Sequence, residues 1–140
     1  MSLQLAPQFP ALYLITDRTI ATPDLLCALE SALKGGVRMV QLREKDLSQS
    51  ELKKIAQKAL VLARSYDAKL LLNGSPELAA EIGADGVHLG VHSCQISTAR
   101  NILGERSLIG YSAHSAQEAE SAAEQGADFI TFSPIYHTAS

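Results

Sequence analysis

Gly83-Ala84-Asp85-Gly86-Val87-His88-Leu89-Gly90 runs from a helix end straight into a short apolar strand, and Gly126-Ala127-Asp128-Phe129-Ile130 repeats the same opening. A glycine that turns the chain out of a helix and into a strand marks the joint of a parallel βα unit, not of a hairpin. Gly35-Gly36-Val37 makes a third such joint. Working outward from these joints, strands are predicted at Leu12 to Thr16, Arg38 to Leu42, Lys69 to Leu72, Gly86 to Leu89, Leu108 to Tyr111 and Phe129 to Phe132. Their nearly unbroken apolarity is what a parallel strand covered on both faces requires. Between them, Thr22-Pro23 and Ser75-Pro76 predict an N-cap followed by proline at the first helical position, where its missing N–H costs nothing. Ser48 with Glu51, and Ser115 with Glu118, predict capping boxes.

Six strands alternating with helices fit either an open doubly wound sheet or a (β/α)8 barrel, and periodicity does not separate them. A closed barrel usually takes ~200 to 250 residues. The chain has 140 residues and reads as a single domain over 1–140. Hydrophobic residues make up 46% and charged residues 19%, with a net charge of -3, so disorder is excluded and no basic stripe is offered to a nucleic acid. No apolar run reaches the ~18 residues of a membrane span, and the first residues lack the pattern of a signal peptide. Cys27 and Cys94 are too few and too differently placed for a disulfide framework. A reducing, cytoplasmic location is therefore expected.

In both parallel folds, ligands gather beyond the carboxyl ends of the strands. The polar residues cluster there: Thr16-Asp17-Arg18, Gln41 to Lys45, Asn73-Gly74, Ser112-Ala113-His114, and Ser133 followed by His137 and Thr138. In extended backbone Gln41, Arg43 and Lys45 share one face, which predicts two cations and an amide projecting into one cavity as an anion site. The competing reading is a solvated loop with an Arg43–Glu44 or Lys45–Asp46 ion pair. His114 precedes the Ser115 cap, where the helix dipole favours a neutral imidazole able to exchange a proton; alternatively it only supports the turn. His88, inside an apolar strand, is expected to be a hydrogen-bonded core residue. His92, Cys94 and His137 lack zinc-ligand spacing, and no Gly-x-Gly-x-x-Gly, Walker or Gly-x-Ser-x-Gly pattern is present.

The segments 12–18, Gln41-Leu42-Arg43-Glu44-Lys45, 83–90, Ile109-Gly110-Tyr111-Ser112-Ala113-His114-Ser115 and 126–134 resemble, in order and spacing, the thiamin phosphate synthase family. The resemblance implies a TIM barrel of which this chain holds the first six strands, with strands 7 and 8 absent from it. It also implies a soluble enzyme acting on a phosphorylated thiazole or pyrimidine, with oligomerisation to a homodimer or larger assembly left open. Synthases of the family join a pyrimidine diphosphate to a thiazole phosphate with Mg²⁺, held by an Asp after the strand 3 Asn and another after the strand 4 His-Leu-Gly. Gly74 and Ser93 stand at those positions here. Asn73-Gly74 instead resembles the thiazole tautomerase (TenI) branch, which implies a metal-independent isomerase with no cofactor, His114 as its proton-transfer residue, and Gln41, Arg43, Lys45, Asn73, Ser112 and Thr138 as substrate contacts. The Mg²⁺-dependent synthase, and a non-catalytic binder or regulator of the same phosphate ligand, are the alternatives.

Overall fold

A computed structural model describes residues 9–138. Six parallel strands lie in sequence order, β1(Leu14–Ile15), β2(Met39–Leu42), β3(Lys69–Asn73), β4(Gly86–Leu89), β5(Leu108–Ala113) and β6(Phe129–Phe132), so each strand pairs with the next. Five helices connect them: α1(Leu25–Lys34), α2(Gln49–Ser65), α3(Pro76–Ile82), α4(Ile96–Leu103) and α5(Ala116–Glu124). Sequential pairing without a strand-order reversal removes the doubly wound alternative, whose order switches at its midpoint. The sheet is a six-stranded half-barrel. Among the described residues, β1 and β6 each have one neighbour. With a partner on one side only, β1 pairs over just Leu14 and Ile15, shorter than the predicted 12–16.

Alternation along the strands divides the core in two. Val40, Leu42, Leu70, Leu72, Val87, Leu89 and Ile109 belong to one buried apolar cluster with Leu29 and Leu33 of α1, Ala56, Ala59 and Ala63 of α2, Ala79 of α3 and Ala99 of α4. Alanines at these helix positions let the helices lie close against the strands. The opposite face carries Met39, Gln41, Leu71 and His88, equally buried but outside that cluster. Gly86 meets β5 most closely: a Cβ there would sit 1.9 Å from the Leu108 carbonyl oxygen. The two repeated joints act alike. The Asp85 carboxylate accepts the Leu70 N–H at 2.9 Å and the Asp128 carboxylate accepts the Ile109 N–H at 2.7 Å, each pinning the start of the preceding strand. Arg100 adds an ion pair to Asp128 at 2.9 Å.

The helix starts correct three readings. The α1 cap is Asp24, whose carboxylate accepts from the Cys27 N–H, while Thr22-Pro23 lies ahead of the helix as a cis peptide. Proline does open α3, but Ser75 makes no side-chain cap bond. Ser48 and Glu51 form the full capping box at α2. At α5 the box is displaced by one residue: Ser115 caps the Glu118 N–H, and Glu118 reaches back to the His114 N–H at 2.7 Å. Both cysteines are free, with Cys27 exposed on α1. No helix among the described residues is long and apolar enough to cross a membrane.

Candidate functional site

Each of the strands, or the residue beside it, supplies one polar side chain to the inner face, and these side chains are linked from β3 through β2 to the residue before β1, and from there across to β4, β5 and β6. Asn73 Nδ2 donates to Gln41 Oε1 at 3.0 Å, and Gln41 Nε2 donates to the Tyr13 hydroxyl oxygen at 3.1 Å. The Tyr13 hydroxyl meets His88 Nδ1 at 2.9 Å, His88 Nε2 meets Ser112 Oγ at 2.8 Å, and Thr131 Oγ1 lies 3.3 Å from both Ser112 Oγ and His88 Nε2. The result is one unbroken polar chain across the inside of the half-barrel, on the carboxyl half of β2 to β6. Gln41 and His88 are each only 2% exposed, so these bonds satisfy groups that would otherwise be stranded away from water. Burial pushes the His88 imidazole down to about 4 and the Tyr13 phenol above its ordinary range, so both are neutral near pH 7.

Phe129 closes the chain from below. Its ring packs edge-on against Tyr13, with centroids 5.4 Å apart, and lies 5.7 Å from the His88 ring. Gly110 makes room for both, because a Cβ on it would fall 2.6 Å from His88 Nδ1 and 2.4 Å from Phe129 Cζ.

The rim above β1 and β2 is organised by Glu44, which the sequence reading considered only as an ion-pair partner of Arg43 in a solvated loop. Its buried carboxylate accepts from Thr16 Oγ1 at 2.8 Å and from the Arg18 N–H, while Thr16 Oγ1 in turn accepts the Arg43 N–H at 3.0 Å. Arg18 brings its guanidinium to Glu44 and to Asp46. Glu44→Ala would leave the Thr16 hydroxyl and the Arg18 amide without their acceptor and would remove the carboxylate that faces the Arg18 guanidinium. The expected cost is about 2 to 4 kcal/mol, read as a shift of the urea midpoint; a loss below about 0.5 kcal/mol would remove Glu44 from this role.

The predicted anion face is divided. β2 ends at Leu42 and the chain turns at Lys45 and Asp46, so Gln41 stays inside, Arg43 is exposed at the rim, and Lys45 leaves the alternation. Lys45 lines a cleft of about 730 Å³ between the starts of α2 and α3, shared with Leu42, Lys53, Asn73, Gly74 and Glu77. The expectation that Gln41, Arg43 and Lys45 project into one cavity is thus corrected. Neither expected ion pair forms among the described residues, since Arg18 takes both acids, Glu44 and Asp46. Asn73 joins the two spaces, contributing to the interior chain and to the cleft wall.

His114 is exposed beyond β5, and its Nδ1 lies 2.7 Å from the Ser133 carbonyl oxygen. A carbonyl only accepts, so Nδ1 carries the hydrogen and Nε2 is the nitrogen left for a ligand. Thr138 is exposed in the segment after β6. Ala139 and Ser140, which extend that segment, and the opening residues 1–8 lie outside the described residues. Tyr13 and Thr131 were missed in the sequence. Each looks like an ordinary strand aromatic or β-branched residue, and only inward parity with Gln41, His88 and Ser112 marks them.

Gly74 and Ser93, the positions at which the resemblance would place metal-binding carboxylates, face each other: a Cβ on Gly74 would stand 3.7 Å from Ser93 Oγ. The Ser93 hydroxyl already accepts the Gly90 N–H at 3.0 Å. Mg²⁺ seeks carboxylate oxygens, and no group of three or more His, Cys, Asp or Glu side chains gathers among the described residues. The residues present do not fit the ion.

A parallel half-barrel with its polar side chains at the carboxyl ends of the strands places the chain in the TIM-like class of α/β folds. The model of the thiamine monophosphate synthase family matches residues 12–140, and the chain belongs to that family. It is 50% identical over 131 residues to a protein of Geobacter sulfurreducens named putative thiamine-phosphate synthase, covering 93% of this chain and 62% of that protein. It is 42% identical over 132 residues to the thiamine-phosphate synthase of Marinobacter nauticus, covering 93% of this chain and 60% of the relative. The thiamine phosphate pyrophosphorylase of Pyrococcus furiosus superposes with a TM-score of 0.82 at 31% identity, over 89% of this chain and 60% of the other. The chain therefore spans about three fifths of the length of these relatives. Relatives named synthases are transferases, which overturns the isomerase reading taken from Asn73-Gly74. That reading rested on a few positions, Asn73-Gly74, Ser93 and His114, against similarity along the whole chain.

Proposed function

We propose that the protein carrying this chain is a transferase that joins a pyrimidine diphosphate to a thiazole phosphate. The bond from the pyrimidine methylene carbon to diphosphate oxygen breaks, a bond from that carbon to the thiazole nitrogen forms, and diphosphate leaves. The chain supplies the first six strands of a (β/α)8 barrel in this reading. What carries it is the six-membered polar chain from Asn73 to Thr131, a wall of matched donors and acceptors suited to a polar heterocycle, together with membership of the family.

Gln41, Asn73 and Ser112 hold the heterocycle, while Arg43 at the rim and Lys45 in the cleft meet the phosphate charge. His114 meets the departing diphosphate through Nε2, carrying there a proton drawn from solvent and not from the reacting atoms, and Thr138 extends the grip from the loop after β6. No step is assigned to Mg²⁺, because Gly74 and Ser93 offer it no carboxylate. That same loss favours one second reading, a binder of the phosphate ligand without turnover.

The test mixes the full-length protein with both substrates, with and without Mg²⁺, and quantifies thiamine phosphate. Product is expected, and Arg43→Ala should lower kcat/KM about 10- to 100-fold, the loss of one charge-assisted phosphate contact. Absence of product under both conditions, with thiazole phosphate binding still measurable by calorimetry, would replace the transferase with the binder.

A further inference from the structure

The polar chain has a direction. Gln41 Nε2 donates to the Tyr13 oxygen, so among the described residues the acceptor left for the tyrosine hydroxyl hydrogen is His88 Nδ1. A hydroxyl that donates to Nδ1 requires a lone pair there, and a neutral imidazole with a lone pair on Nδ1 carries its hydrogen on Nε2. Nε2 then donates to Ser112 Oγ at 2.8 Å, with Thr131 Oγ1 at 3.3 Å. Ser112 and Thr131 hold two hydroxyl hydrogens, and at most one of them is used between the pair. At least one is left over for a ligand. Under the opposite tautomer Ser112 would donate to Nε2, Thr131 would donate to Ser112, and this end of the chain would offer lone pairs only.

We infer that His88 is a positioning residue: its Nε2–H tautomer, imposed by Tyr13, makes the Ser112–Thr131 pair a hydrogen donor toward the ligand while Asn73 keeps a free carbonyl oxygen at the opposite end. The surroundings hold the ring to this one job. Gly110 leaves no side chain between Tyr13 and Nδ1, since a Cβ there would fall 2.6 Å from that nitrogen. Phe129 covers the ring face, with centroids 5.7 Å apart. Among the described residues Tyr13 is the only titratable group bonded to the imidazole, and no carboxylate touches it to draw it into the charged form. A hydroxyl donor at the β5–β6 end is complementary to an oxyanion, and a carbonyl acceptor at the β3 end is complementary to an amino or N–H group. The site would thus fix which way round a ligand bearing both enters. This extends the transferase reading and rests on it only for the identity of that ligand.

The experiment is nitrogen NMR of the full-length protein labelled with ¹⁵N-histidine, without substrate, from pH 5 to pH 8. His88 is expected to show a lone pair on Nδ1 and a hydrogen on Nε2 throughout that range. The Nδ1–H form, or an average of the two forms, overturns the inference, and this measurement needs no variant. In Tyr13→Phe the fixed tautomer should give way to a mixture, and KM for the diphosphate substrate should rise about three- to tenfold, the worth of one net hydrogen bond. An unchanged His88 spectrum in that variant overturns the part assigned to Tyr13. Since the spectra are recorded without substrate, the predicted tautomer in a protein that forms no thiamine phosphate would count against the transferase and leave the relay standing.

Discussion

Gly110→Ala is expected to cost the protein about 3 kcal/mol of stability, the upper range for forcing one extra carbon into a packed interior. The new methyl would stand 2.4 Å from Phe129 Cζ and 2.6 Å from His88 Nδ1. Neither neighbour can step aside cheaply. Phe129 is wedged edge-on against Tyr13 and tilted against Phe9, and His88 is bonded through both ring nitrogens. A shift of the imidazole would break the polar chain at its middle, so catalytic turnover should fall together with the urea midpoint. A variant that stays within about 1 kcal/mol of the parent would mean that the interior is looser than its distances imply.

Acidification should reveal the same histidine. An imidazole titrates near 6.5 in the unfolded chain and at about 4 in its buried place here, since burial disfavours the charged form. Between those values the unfolded state binds the extra proton, so the contribution is fully present above pH 6.5 and is lost as pH falls through about 4. The size of the shift corresponds to roughly 3 kcal/mol. Urea midpoints at pH 7, 5.5 and 4 would show the decline, and His88→Asn should lack that component. The carboxylates of Asp17, Asp24 and Glu51 are held below their ordinary range, chiefly by hydrogen bonds from Thr19, Cys27 and Ser48. Their losses come at lower pH and persist in the variant. Parallel curves for parent and variant would contradict the burial argument.

How much of this could be read from the residues differs between scaffold and site. Strands such as Lys69–Asn73 were legible because a parallel strand covered on both faces leaves an unbroken apolar run. The Ser48–Glu51 box was legible because its chemistry is local. The interior chain was not, since it depends on register: Asn73 sits beside His88, and Ser112 beside Thr131. No spacing rule within one strand reports what stands next to it on another. The path of Lys45 was lost for a related reason, as alternation holds only while the backbone stays extended, and β2 ends at Leu42. Gly74 misled in the opposite way, because a local signature was set against resemblance along the whole chain.

Asp85 and Asp128 make the lower edge of the sheet self-supporting, each carboxylate locking the strand before it from underneath. The loops on the far side are relieved of that duty. A change of charge in them, at Gly74 or Ser93 for example, would leave strand alignment to parts on the opposite edge. A framework divided in this way permits its chemistry to be revised without renegotiating how it folds.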